Sequence, residues 1–271
     1  MKSKLLGLCL FVAMCLCVSP LWGQSIKIKG STTVLPVAQK VAEAYMKANP
    51  DVSISISGGG SGNGIKALID GTTDIADASR FIKMKEVKRA IDNGNYPVPH
   101  AVALDSIIPV VHPDNPVDNL TLEQLKKIYQ GKIKNWSEVG GKDKKIVVIS
   151  RDTSSGTYEV WEHIVLDGSR VYPGALLQAS NGAVAQAVAK NTHAIGYVGI
   201  GYLNEDLKDV KVNGVEGTPA TTASAQFPIF RTLFMFTDGW PTGEVAKFMN
   251  FVKHPEKGQK YAEEAGFVKL Y

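Results

Sequence analysis

Cysteine is confined to the start of the chain: Cys9, Cys15 and Cys17 are the only three among 271 residues. If that stretch is removed, no disulfide and no thiolate metal or redox site remains. The five histidines (His100, His112, His163, His193 and His254) show neither H-x-x-x-H nor H-E spacing, so no zinc site is expected. No glycine cluster carries the G-x-x-x-x-G-K-[ST] pattern of a nucleotide phosphate loop, and no serine sits in G-x-S-x-G. Charge of one sign is also scarce. Thirty basic and 26 acidic residues leave a formal +4 that is not gathered in a tail, which gives no argument for nucleic acid. No catalytic constellation and no cofactor motif stands out.

Only one apolar run is long enough to notice. Lys2 and Lys4 precede 14 uncharged residues at 5–18, followed by Pro20, Leu21, Trp22, Gly23 and the polar Gln24. A bilayer-spanning helix needs roughly 20 apolar residues. This run has instead the layout of a secretory signal peptide over residues 1–23, which implies export. Met14 before Cys15 and Leu16 before Cys17 are larger than the side chain favoured ahead of an acylated cysteine, so lipid anchoring is not expected. Loss of Lys2 and Lys4 lowers the formal charge by two. The remainder, with a chain-wide hydrophobic content of 44%, is long enough to fold around its own core without disulfides.

Beyond the leader, strand-like and helix-like segments alternate. Residues 25–29, 52–57 and 74–78 suit strands, and residues 34–47, 64–70 and 85–93 suit helices. Later helices are expected over 122–130, 157–166, 183–190 and 244–253, and strands over 145–150 and 230–236. Residues 214–225 are poor in large apolar side chains and are expected to form a loop. This order defines an α/β protein with a parallel or mixed sheet covered on both faces. The run HAVALDSIIPVV at 100–111 is long enough to leave one domain and enter another, and a return is expected near 226–234. These crossings suggest a discontinuous first lobe (24–102 plus 230–271) and a second lobe (103–229), with a hinge of two crossings and a central cleft; a single continuous domain is the competing reading.

Three segments share the order strand, small hydroxyl or glycine residues, helix: 30–34, 57–65 and 150–158. Each leaves helix N–H groups unsatisfied beside hydroxyl donors, and the positive end of the helix dipole favours an anion there. Ser and Thr as ordinary N-caps are the competing reading for any one of them. Arg151 adds a planar, permanently charged donor suited to gripping an oxyanion. The segment Gly62-Asn63-Gly64-Ile65-Lys66-Ala67 also fits G-x-G-x-x-A, but Asp70, Asp74 and Asp77 lie too close for dinucleotide binding. The basic faces at Lys83, Lys85, Lys88 and Arg89, and at Lys126, Lys127, Lys132 and Lys134, are solvated surface or a docking rim.

GSTTVLP (30–36), GGGSGNGI (58–65), DIADASR (74–80), LTLEQLKKIYQGKIKNWSEVGG (120–141), RDTSSGTYEVW (151–161) and AIGYVGIGYL (194–203) follow one another in a specific order. With these segments the chain resembles the phosphate-binding periplasmic proteins, the solute receptors of ABC-type phosphate importers. The resemblance implies a two-lobe periplasmic-binding-protein fold of type II that binds inorganic phosphate and delivers it to a transmembrane permease. It implies no catalysis and no cofactor, and a monomer is expected. It places phosphate against Thr32, Thr33, the amide of Val34, Ser61, Gly62, Ser79, Arg151, Ser155, Gly156 and Thr157. Ser79 and Thr153 stand where many members carry an aspartate, which leaves Asp77 and Asp152 as candidates for proton acceptor or orienter of the arginine. The alternatives are another tetrahedral oxyanion (sulfate, molybdate or tungstate) and a secreted phosphatase-like hydrolase.

Overall fold

The computed structural model describes residues 24–271; the segment read as a signal peptide lies outside the described residues. In chain order, the first lobe opens with β1 (Gln24–Gly30), α1 (Leu35–Ala48), β2 (Val52–Ser57), α2 (Ser61–Ile69), β3 (Ile75–Ala78) and α3 (Met84–Asp92). The crossing strand β4 (Pro97–Val111) follows. The second lobe contains β5 (Asn119–Leu120), α4 (Leu122–Tyr129), β6 (Val147–Arg151), α5 (Gly156–Ile164), β7 (Leu176–Gln178) and α6 (Asn181–Ala189). It continues through β8 (Ala194–Gly199), β9 (Lys208–Asp209), β10 (Lys211–Val212) and α7 (Pro219–Ala223). The chain returns along β11 (Phe230–Asp238) and ends with α8 (Gly243–Lys253) and α9 (Gly258–Glu264).

One continuous sheet runs β2-β1-β3-β11-β4-β8-β6-β7. Its first half is parallel except for β11, which lies antiparallel to both β3 and β4. The second half repeats the plan: β7, β6 and β8 are parallel, and the far end of β4 lies antiparallel to β8. The 15 residues of β4 reach about 50 Å when extended. That length lets one strand serve both lobes, so the 102/103 boundary falls inside a single element. Pairing of β4 with β11 makes the hinge a two-stranded ribbon, in which Asp105 lies opposite Arg231.

Local sequence accounts for most elements. Pro36 stands at the start of α1, where its missing N–H costs nothing, and Val37, Ala38, Val41, Ala42 and Tyr45 form its buried face. Val34, Val37 and Val41 pack against Ile26, Ile28 and Ile75 on one side of the first-lobe sheet. Ile65, Leu68, Ala76, Ala78 and Phe236 close the opposite side beneath α2 and α3. In the second lobe Trp161 stacks on Tyr197 with ring centroids 4.2 Å apart, and Tyr129 tilts against both. Trp161 is fully buried. Trp161→Ala is expected to destabilise the protein by about 3–5 kcal/mol, read as a lower urea midpoint.

The stretch 214–225 departs from its expected loop form. Thr218 caps a short helix there: its hydroxyl accepts from the N–H of Thr221, with Pro219 in the first turn. Few large apolar residues were needed because only Thr222 is buried among its five residues. The strand β7 also escapes a pattern reading, since Leu176 and Leu177 are both exposed.

Candidate anion-binding site

The two halves of the sheet aim their strand ends at one place. β1 leads through Ser31, Thr32 and Thr33 into α1, and β2 leads through the glycine cluster into α2. β6 leads through residues 152–155 into α5, and β7 leads through Ala179 and Ser180 into α6. Four helix N-termini therefore face the interlobe cleft, each with first-turn N–H groups that no helical carbonyl can satisfy. In α5 the Ser155 hydroxyl accepts from the Tyr158 N–H, and in α6 Ser180 does the same for Ala183. The caps tie down each helix start while leaving the earliest N–H groups for another acceptor.

Hydroxyls from both lobes meet between these ends. Thr33 Oγ1 and Thr157 Oγ1 are 2.9 Å apart, although 124 positions separate them in sequence. Ser61 Oγ lies 3.2 Å from Ser79 Oγ and accepts from the Ser79 N–H at 3.0 Å. The lobes also join directly: the Gly62 N–H donates to the Ser154 carbonyl at 3.0 Å, and the Ser154 hydroxyl oxygen lies 3.2 Å from the Gly59 carbonyl oxygen. The approach is close enough to exclude side chains. A Cβ on Gly60, already at φ +98°, would lie 2.7 Å from the Ser154 carbonyl oxygen. One on Gly156 would lie 2.4 Å from Ser61 Oγ and 2.8 Å from Ser79 Oγ.

Arg151 closes β6 and is 1% exposed. Its Nε donates to the Gln178 carbonyl at 3.0 Å, and its Nη2 to the Ala179 carbonyl at 3.1 Å. Nη1 is buried and has no hydrogen-bond partner among the described residues. Burial pulls the guanidinium below its ordinary value, opposed by the nearby Asp152 carboxylate. A buried cation held by two carbonyls, with its remaining nitrogen unpaired, is the arrangement that an incoming oxyanion completes.

The two aspartates are placed differently from each other. Asp152 Oδ1 accepts from the Ser154 N–H at 2.9 Å and from the Ser154 hydroxyl, while Oδ2 stands 3.9 Å from Arg151 Nη2. It therefore shapes the Ser154 turn that touches the other lobe, and the backbone carbonyls take the larger part in orienting Arg151. Asp77 lies within β3, paired with Gly30 and Met235, two residues short of Ser79 at the strand end. That spacing is about 7 Å along a strand. Its Oδ1 is buried without a partner among the described residues, and burial pushes the carboxyl well above its usual range.

A carboxyl raised in the folded state keeps a proton that the unfolded chain releases. The stability it contributes is complete below the ordinary carboxyl range and is lost as pH rises through the folded value. Asp77→Asn cannot ionise, so its melting temperature is expected to fall less than the wild type's between about pH 4 and pH 8. Parallel melting profiles would mean that Asp77 is ionised throughout.

Four residues that the sequence reading missed complete the cleft wall. Asn181, fully buried at the start of α6, donates from Nδ2 to Thr32 Oγ1 at 3.2 Å and to Thr33 Oγ1 at 2.9 Å. The Tyr202 hydroxyl donates to the Thr32 carbonyl. Asp105 and Arg231 form a buried ion pair at 2.7 Å across the hinge ribbon. Burial raises the Asp105 carboxyl, against the opposing pull of Arg231 and of the Ile200 and Ser106 amides. Two signals were present: Ser180-Asn181-Gly182 is a fourth segment of the strand–hydroxyl–helix form, and single charges interrupt otherwise apolar strands at 105 and 231. At the rim, Arg80 makes a two-pronged bond to Glu86 and an ionic contact of 2.8 Å with Glu159 of the second lobe, which Lys83 also reaches.

Two lobes on a paired-strand hinge, closing helix N-termini and a buried guanidinium around one point, define a solute-binding protein with an oxyanion cleft. A family model described as the PBP superfamily domain matches residues 22–256, and the phosphate-binding protein PstS of Bacillus subtilis (strain 168) is 33% identical over 248 residues, covering 90% of this chain and 80% of that protein. The chain belongs to the PstS family of phosphate-binding proteins. The PstS of Staphylococcus saprophyticus is 36% identical over 258 residues, with the same coverage. A putative phosphate ABC transporter substrate-binding protein with bound phosphate from Clostridium perfringens superposes with a TM-score of 0.85 at 36% identity, covering 92% of this chain and all of that one. An ABC-type phosphate transport receptor from Vibrio cholerae reaches 0.73 at 33% identity, covering 90% and 99%. These structures share the type II two-lobe fold seen here.

Among the described residues no group of three or more His, Cys, Asp or Glu side chains is placed to hold a metal ion. No described helix is long and apolar enough to cross a membrane.

Proposed function

We propose that this protein captures inorganic phosphate between its lobes and hands it to the transmembrane permease of an ABC importer, without chemical turnover. The carrying observation is Arg151: a buried guanidinium whose Nη1 lacks a partner, at the meeting point of helix N-termini and hydroxyls from both lobes. In this reading Thr32, Thr33 and the Val34 amide approach the ion ahead of α1, and Ser61 and Ser79 approach from the start of α2 and the end of β3, with the Gly62 N–H held by the Ser154 carbonyl. Arg151, Ser155, Gly156 and Thr157 approach from the second lobe. Charge-assisted bonds of about 1.5–3 kcal/mol each offset the dehydration of a multiply charged ion. The ion bridges the lobes and so stabilises the closed form that a permease recognises. The leader at residues 1–23 carries the chain to the periplasm, where it works as a monomer. Asp77 and Asp152 act at one remove: Asp152 through the Ser154 turn, and Asp77 from within β3, two residues before Ser79.

Calorimetric titration of the protein stripped of anion, with phosphate and then sulfate, tests this directly. Tight one-to-one phosphate binding with no sulfate heat is expected. Equal or stronger sulfate binding would reassign the cleft to another oxyanion, and no heat with either would end the anion reading.

A further inference from the structure

Thr33 Oγ1 is contacted by three polar side chains: Asn181 Nδ2 at 2.9 Å, Thr157 Oγ1 at 2.9 Å and Arg231 Nη2 at 3.2 Å. A hydroxyl oxygen accepts at two lone pairs and donates a single hydrogen. A guanidinium offers donors only. The Gly199 N–H donates to Asn181 Oδ1 at 3.2 Å, which fixes the amide so that its NH2 faces the threonines. Arg231 and Asn181 therefore fill both acceptor positions of Thr33. Its hydrogen must go to Thr157 or to a ligand, and Thr157 cannot donate back. Whichever way the pair is arranged, at least one hydroxyl hydrogen is left for the ion.

Four of the five Arg231 N–H groups are committed within the protein, one of them to Thr33. Nε and Nη2 bind Asp105 Oδ2 at 2.8 and 2.7 Å, and Nη1 donates to the Ser79 carbonyl at 3.2 Å. Arg151, by contrast, keeps Nη1 unpaired. The two buried guanidiniums thus have separate tasks. Asp105 Oδ1 also accepts from the Ile200 N–H at 2.9 Å, so the same ion pair ties the first-lobe site residue to the second lobe at the hinge.

We propose that Arg231, gripped by Asp105, is a positioning residue of the phosphate site: with Asn181 it fills both acceptor positions of Thr33, which makes the Thr33 hydroxyl a donor only, so that the Thr33–Thr157 pair always offers the ion a hydroxyl hydrogen. This rests on the phosphate reading above. Arg231 reaches Thr33 from the hinge, while Asn181 and Thr157 reach it from the second lobe, so the donor-only state is assembled when the lobes close.

The test is a double-mutant cycle on the full mature chain, with phosphate affinity measured calorimetrically for wild type, R231Q, R231K, T33V and R231Q/T33V. R231Q is expected to weaken binding by about tenfold or more, and R231K, which keeps the charge and a donor, by less. In the T33V background the effect of R231Q should shrink to under about threefold, because the group it acts through is gone. R231Q binding like the wild type overturns the proposal, and so does an equal loss with and without the Thr33 hydroxyl, which marks a general structural role. Circular dichroism melting checks each fold; if R231Q does not fold, D105N/R231Q replaces it in the same cycle. A wild-type protein that ignores phosphate overturns the phosphate reading itself, whereas normal wild-type binding with an additive cycle overturns only the role of Arg231.

Discussion

Arg151→Met is expected to weaken phosphate binding by about 10²–10⁴-fold while leaving the ligand-free protein as stable as the wild type or slightly more so. The unpaired Nη1 carries two N–H donors. Two charge-assisted bonds at about 1.5–3 kcal/mol each correspond to about two to four decades of affinity. The stability side follows from the same burial. With the lobes together the guanidinium is 1% exposed and has lost most of its hydration, and the Gln178 and Ala179 carbonyls, with the Asp152 carboxylate 3.9 Å away, compensate it only in part. Methionine fills similar volume without that cost. Calorimetry should show the loss of phosphate heat, and thermal melting should show an unchanged midpoint that no longer rises with phosphate. Retention of affinity within about tenfold would mean that helix ends and hydroxyls hold the ion without Arg151.

Gly156→Ala should lower affinity through geometry alone. The residue begins α5, and its φ lies outside the left-handed region, so alanine suits its own backbone. The obstacle is on the other lobe, where the new Cβ would stand 2.4 Å from Ser61 Oγ and 2.8 Å from Ser79 Oγ. Overpacking of this kind costs about 1–3 kcal/mol, or about 5–150-fold in binding when the clash exists only in the closed form. The ligand-free melting temperature should stay near the wild-type value, because an open cleft has no clash. Small-angle scattering offers an independent reading: phosphate should compact the wild type and should compact the variant less. Undiminished affinity together with full compaction would show that Ser61 and Ser79 move aside at little cost.

Arg151 and Gly156 differ in how much of their role the sequence shows. Arg151 stood out in the chain, since an arginine between a strand and a Ser-Ser-Gly-Thr helix start has few structural uses. Gly156 was visible as a helix-start glycine, but its closeness to Ser61 and Ser79 was not. The fourth helix end shows a further limit. Ser180-Asn181-Gly182 has the same local chemistry as the other three segments, yet β7 ahead of it has only three residues and two exposed leucines, so no periodic signal marked it. Residues 214–225 failed for a related reason: a one-turn helix held by a Thr218 cap needs no apolar stripe.

The sequence alone determined what is short-range. Alternating strands and helices, the caps, the long apolar run through 100–111 and the donor-rich loops each depend on neighbours a few positions away. The tertiary structure alone decided which distant groups meet. Antiparallel register in the hinge ribbon set Asp105 against Arg231, and packing of the lobes brought Thr33 to Thr157 and Asn181 to both Thr32 and Thr33 ahead of α1. The physical reason is that periodicity and capping are read from local backbone geometry. Register and lobe contact are instead fixed by burial summed over residues more than a hundred positions apart.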